Sequence, residues 1–124
     1  MKVVYYDLST SGFVHATAEI IRIGAKVKVP GTRNFNEYDE YLVPNGPIAR
    51  RAQEINDMSK LSLLKMKFHG QADNQSTGFW NFDEFLRDQQ DYPSEEILLV
   101  SLTSKALEKE LKSQCVKNMN QSTL

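Results

Sequence analysis

The chain is poor in the residues that build metal and disulfide sites. Its 124 residues include one cysteine, Cys115, and two histidines, His15 and His69, that lie far apart in the sequence. A single cysteine excludes an internal disulfide framework, and there is no CxxC or HxxxH spacing for a zinc site. A reducing compartment suits such a chain, so we expect a cytoplasmic or nuclear location.

Long hydrophobic runs and an excess of one charge are also lacking. No run approaches the roughly 18 apolar residues of a membrane span, and the N-terminus has no apolar signal-peptide core, so we predict no membrane association. Fifteen basic residues oppose sixteen acidic ones, which leaves a net charge of −1. Because no overall field draws the chain to nucleic acid, any polyanion site must be local.

The length and the hydrophobic content of 40% fit one compact domain. We place this domain at residues 1–118 and assign residues 119–124 to a polar C-terminal tail. The sequence does not indicate whether Leu124 is a natural terminus.

The first third of the chain is patterned as three strands joined by turns. Residues 3–6 form an apolar run that stops at a Ser/Thr/Gly cluster, and residues 18–29 alternate apolar and polar positions, with Ile21 and Ile23 on the same side. Residues 38–43 form a third run, which Pro44 ends. Consecutive strands joined by turns predict an antiparallel meander.

Helices are predicted after the meander. Pro47 suits the first turn of a helix that breaks near residues 56–58, and Ser59 starts a second helix. Residues 70–78 contain no apolar side chain larger than alanine and predict a loop. Asn81 is then expected to cap a third helix.

The C-terminal part begins with a continuous apolar run. Residues 97–102 read ILLVSL, which predicts a central strand covered on both faces. A last helix is predicted from Thr103 or Ser104, with Leu107, Leu111 and Cys115 on its apolar side.

Four short segments, taken together in their order along the chain, form a further pattern. They are DLSTSG at residues 7–12, EIIRIGAKV at 19–27, the Pro-x-x-x-Ile spacing at 44–48, and VSLTSKAL at 100–107. In order and spacing they resemble the DEDD-type 3′–5′ exonuclease domains. The resemblance implies an α/β ribonuclease-H-like fold, with a mixed sheet of an antiparallel three-strand meander plus a parallel strand and with flanking helices, here truncated at the C-terminus.

The catalytic positions depart from that resemblance. Such enzymes hold two divalent ions between several carboxylates. Asp7 matches the first carboxylate, but Ser9 stands where the resemblance expects a metal-bridging glutamate and Leu107 where it expects an aspartate. Glu108 and Glu19 are expected to point away from the metals. We therefore predict a pseudo-exonuclease that is not an enzyme, takes no cofactor and holds at most a weak metal at Asp7.

Two interpretations of Asp7 stay open. In one, Asp7 is a strand-end aspartate that bonds the amides of the following turn. In the other, a rearranged site keeps Mg²⁺- or Mn²⁺-dependent exonuclease activity.

A local basic surface is the second candidate site. It would bind single-stranded RNA or DNA in the former substrate groove, although acidic residues interspersed among the basic ones also fit an ordinary solvated face. The candidate residues are Lys26, Lys28, Arg33, Arg50 and Arg51.

The preferred functional hypothesis is an interaction scaffold. A truncated domain would leave an apolar surface or a strand edge exposed, which a homodimer or a heterologous protein partner would cover. The resemblance suggests a role in RNA metabolism.

Overall fold

The computed structural model describes residues 1–14 and 16–101. The elements follow one another as β1 (Lys2–Thr10), β2 (Ile20–Lys28), β3 (Phe35–Val43), α1 (Arg50–Asn56), α2 (Lys60–Phe68), β4 (Ala72–Asn74), α3 (Gln75–Gln89) and β5 (Ile97–Ser101). The predicted last helix, Leu107 and the domain boundary at residue 118 lie outside the described residues.

The strands form one mixed sheet in the order β4-β3-β2-β1-β5. The pairs β1–β2 and β2–β3 are antiparallel, and β5 pairs with β1 in parallel. These pairings confirm the predicted meander plus a parallel strand. The short strand β4, which pairs with β3 in parallel, was not predicted.

A β-bulge in β2 breaks the regular alternation of its side chains between the two faces of the sheet. Ser9 pairs with Arg22 but Thr10 pairs with Ile20, so Ile21 has no partner on β1. Ile20 and Ile21 are consecutive and both buried, each in a different core. The prediction that Ile21 and Ile23 share a face was therefore wrong, because simple alternation does not anticipate a bulge.

Two hydrophobic cores lie on opposite faces of the sheet. The larger core packs β1, β2 and β3 against Phe82 and Leu86 of α3. The smaller core joins Ile21 and Val43 to Ala52 of α1 and Leu63 of α2. Helices on both faces of the sheet give an α/β architecture.

The break between α1 and α2 is confirmed. Asp57 ends α1 in the left-handed region, at φ 53°. Ser59 then caps α2: its hydroxyl accepts from the Ser62 amide at 3.1 Å, while Ser62 Oγ accepts from the Ser59 amide at 3.0 Å. This reciprocal pair is a capping box, in which serine replaces the usual Glu or Gln at the fourth position.

The predicted loop at residues 70–78 was wrong. Ala72 to Asn74 form β4, and Asn74 caps α3, its Oδ1 accepting from the Thr77 amide at 2.9 Å. Asn81 consequently lies inside α3 rather than at its start. Small residues here reflect close packing: Ala72 is buried, and Gly78 lies directly against Leu42.

The strand β5 is less buried than its apolar sequence predicts. Among the strands within residues 1–14 and 16–101 it is the last in the sheet order, and Leu98 is 47% exposed. The expectation of a central strand covered on both faces was therefore wrong at Leu98.

Candidate functional site

The candidate aspartate lies within β1 and not at its end. Asp7 pairs with Gly24 across the sheet, and the strand continues through Ser9 to Thr10. Val4, Tyr6 and Leu8 point into the core beneath α3, so Asp7 and Ser9 face the opposite side by strand alternation. The interpretation of Asp7 as a strand-end residue was wrong.

An arginine lies beside these two residues on the same face. Ser9 pairs with Arg22, whose Nε and Nη2 donate to the two carboxylate oxygens of Asp39 at 2.9 and 3.1 Å. The Arg22 guanidinium also lies 5.7 Å from the centre of the Tyr41 ring. The hydrogen bond to Asp39 is the main reason that the pKa of Arg22 is raised, and the negative charge of Asp7 contributes.

Those residues around Asp7 that the structure describes do not fit a two-metal centre. Among the described residues, no group of three or more His, Cys, Asp or Glu side chains could hold a metal ion. Ser9 supplies a neutral hydroxyl, and its partner on β2 is the Arg22 cation, which interacts electrostatically with Asp7. Two dications need several carboxylates to balance their charge, and on this face the carboxylate of Asp39 is already paired with the Arg22 guanidinium.

Glu19 has a structural role at the same end of the sheet. Its Oε2 accepts from the Asn45 amide at 2.8 Å, and its Oε1 accepts from the Gly46 amide at 2.7 Å. The carboxylate therefore fixes the loop that leaves β3, where hydrogen bonds to an ionised acceptor are strong. Its two oxygens are committed to backbone amides rather than turned toward Asp7.

The five basic candidates do not form one surface. Arg50 and Arg51 open α1, which is tied to the end of β1 because the Ala49 amide donates to the Ser11 carbonyl at 2.7 Å. Lys28 ends β2 and Arg33 lies in the following turn, at the opposite end of the hairpin. Lys26 lies between the two groups and pairs with Glu37 at 3.5 Å.

A polar cluster under α3 was missed by the sequence analysis. Asn81 Nδ2 donates to Glu40 Oε1 at 3.0 Å and to Asp73 Oδ2 at 3.2 Å, and the Tyr38 hydroxyl donates to Glu40 Oε2. Burial is the main cause of the raised pKa of Glu40, and a hydrogen bond with Asp73 adds to it. The cluster depends on β4, because the pairing of β4 with β3 brings Asp73 close to Glu40. The sequence analysis predicted a loop at these residues and therefore did not find the cluster.

We expect Glu40→Gln to flatten the pH dependence of stability. The folded pKa of Glu40 lies above its ordinary value, so its stabilising contribution is complete below that ordinary value and is lost as the pH rises through the folded pKa. Glutamine cannot titrate. The pH-dependent part of the free energy of unfolding should change by no more than about 1 kcal/mol, because Glu40 and Asp73 are partly exposed to solvent. Urea denaturation between mildly acidic and neutral pH measures it.

Glu37→Gln is the matched control for this experiment. Glu37 lies on the same strand but faces the other side, where it pairs with Lys26. An identical change of slope in both variants would contradict the assignment to the Glu40 cluster.

Comparisons with known proteins place the fold. No family model and no curated protein matches the chain. The crystal structure of E. coli exonuclease I with a dT13 oligonucleotide aligns with a TM-score of 0.61 and 10% identity, over 81% of this chain and 20% of that chain. The chain has the ribonuclease-H-like exonuclease fold. The resemblance seen in the sequence is thus confirmed at the level of the fold.

Further exonuclease I structures give the same result. The SSB/exonuclease I complex with the inhibitor CFAM aligns with a TM-score of 0.64 and 10% identity, over 89% of this chain and 23% of that chain. The ExoI/SSB-Ct complex aligns with a TM-score of 0.61 and 10% identity, over 81% of this chain and 20% of that chain. The chain therefore spans about a fifth of the length of these enzymes. No helix in the described part of the chain is long and apolar enough to cross a membrane.

Proposed function

We propose that this chain is an exonuclease-like module that does not hydrolyse nucleic acid and that acts through binding. The observation that carries the proposal is the Arg22–Asp39 ion pair on the face that holds Asp7. The positive charge of the Arg22 guanidinium can offset the negative charge of Asp7, so that this carboxylate needs no metal ion. Ser9, two residues after Asp7, supports the same conclusion because a neutral hydroxyl adds no negative charge to offset two dications.

The physical argument is one of charge. A metal placed beside Asp7 would be repelled by Arg22, and Asp39 is already engaged in two hydrogen bonds with that arginine. When the residues of a catalytic centre act as a unit, removing one of them abolishes nearly all of the activity. The module is proposed to take no cofactor, and we propose a protein partner as its main ligand.

We expect no Mn²⁺-dependent release of nucleotides from a labelled single strand, and no difference between the native protein and Asp7→Asn. E. coli exonuclease I in the same buffer is the positive control, and calorimetry with Mn²⁺ measures metal binding directly. Release that requires Mn²⁺ and disappears in Asp7→Asn would overturn the proposal and establish the active alternative.

A second candidate, non-catalytic binding of a single strand, is favoured by the position of Arg50 and Arg51 beside the end of β1. Exonuclease I has been solved with a dT13 oligonucleotide. The labelled strand of the same assay reports binding by anisotropy. If the strand binds at Arg50 and Arg51, the double variant Arg50→Ala/Arg51→Ala should weaken binding more than the matched pair Lys28→Ala/Arg33→Ala. Added salt should weaken binding in every variant.

A further inference from the structure

The outer face of α2 carries large apolar side chains that are exposed. Leu61, Leu64 and Phe68 are exposed by 63%, 45% and 86%, whereas Leu63 on the same helix is fully buried in the smaller core. Since successive residues of an α-helix are turned by about 100°, the three exposed side chains fall within an arc of about 60°. We call Leu61, Leu64 and Phe68 the α2 stripe.

Lysines border the α2 stripe on both sides. On the same helical projection, Lys65 lies beyond Leu61, while Lys60 and Lys67 lie on the other side, next to Leu64. The helix contains no acidic residue. Lys60 donates to the Asn45 carbonyl at 3.0 Å, but no ion pair among residues 1–14 and 16–101 includes Lys65 or Lys67. The stripe is therefore an apolar centre with a cationic rim.

We propose that the α2 stripe is the docking site for an acidic amphipathic protein segment, one with two or three large apolar side chains flanked by carboxylates. Apolar anchors at i, i+3 and i+7 are the spacing with which one helix face engages another segment. Carboxylates at the flanks of the partner would meet Lys65 and Lys67, whose charges have no partner in the described structure. This inference deepens the proposed interaction role and rests on it.

Charge disfavours a second copy of this chain as the occupant. A two-fold dimer through the α2 stripe would bring the lysines of one copy against those of the other, because an isologous interface pairs each patch with itself. Like charges across an interface suppress association.

The shape of the stripe disfavours a membrane. An interfacial helix sinks a whole apolar face into the lipid. Here the apolar arc spans only about 60°, and the opposite side of α2 is fixed in the core by Leu63. A narrow stripe on a docked helix suits a peptide segment better.

The test is titration with a synthetic helical peptide that carries Leu, Leu and Phe at i, i+3 and i+7 with glutamates beside them. We expect saturable binding with a Kd on the order of 10 μM, measured by calorimetry. Phe68→Ser should weaken it by about tenfold or more, and Lys65→Glu/Lys67→Glu by a similar factor. Trp80→Ser is the matched control, since Trp80 is 62% exposed on α3, outside the stripe; it should leave the affinity unchanged.

Several results would overturn the proposal. They are no binding at millimolar peptide, equal binding of a peptide with glutamine in place of glutamate, a Phe68-dependent dimer in sedimentation, or Phe68-dependent binding to phosphatidylserine vesicles without peptide binding. Circular dichroism shows whether each variant is folded. The degradation assay fails or succeeds independently of this titration, so loss of the non-catalytic proposal and loss of the docking site are distinguishable.

Discussion

Gly78→Ala should destabilise the protein by about 3 kcal/mol. Gly78 lies inside α3, and a Cβ at this position would overlap the Leu42 side chain, coming within 2.6 Å of its Cγ. Alanine in place of glycine normally stabilises a helix interior by about 1 kcal/mol. The close approach to a fully buried leucine reverses that sign, and urea denaturation measures the result.

The double variant Gly78→Ala/Leu42→Ala provides the control. Leu42→Ala alone creates a cavity, which the new methyl group of the double variant partly fills, so the two effects should be less than additive. A single variant Gly78→Ala as stable as the native protein would show that α3 does not approach β3 as closely as described.

Phe82→Ala is expected to cost about 4 kcal/mol. Phe82 is 1% exposed at the centre of the larger core, with its ring centre 5.4 Å from that of Tyr38 and 6.3 Å from that of Phe85. Truncation removes buried area and leaves a cavity that the surrounding strands cannot close. Thermal and urea unfolding would both report the loss.

Phe68→Ala is the matched comparison, because the same substitution is made at a side chain that is 86% exposed. It should change stability by no more than about 0.5 kcal/mol. Comparable losses in both variants would contradict the assignment of Phe68 to the surface, and with it the α2 stripe.

The sequence predicted the elements whose pattern is local. The meander follows from period-two alternation in β2 and from the turns around it, and the α1–α2 break follows from the capping residue Ser59. The strand β4 and the start of α3 were missed because Ala72 and Gly78 are small for a tertiary reason: each fits against a neighbouring element, which composition alone presents as a loop.

The candidate site was predicted only in part. Asp7 and Ser9 are read directly from the chain, whereas the position of Arg22 beside them requires the register of β1 on β2, and its pairing with Asp39 requires that of β2 on β3. The Glu40–Asp73–Asn81 cluster joins three elements from distant parts of the chain. Long-range register is not encoded in any single segment, so these contacts emerge only in the folded sheet.

The two cores are joined through the strands between them, which has a consequence for cooperativity. Ile20 and Ile21 of β2, like Leu42 and Val43 of β3, are consecutive residues that belong to different cores. Because loosening one core disturbs backbone that also anchors the other, we expect both cores to unfold together, as small domains commonly do. A partner that clamps α2, and with it the smaller core, would consequently raise the stability of the entire sheet.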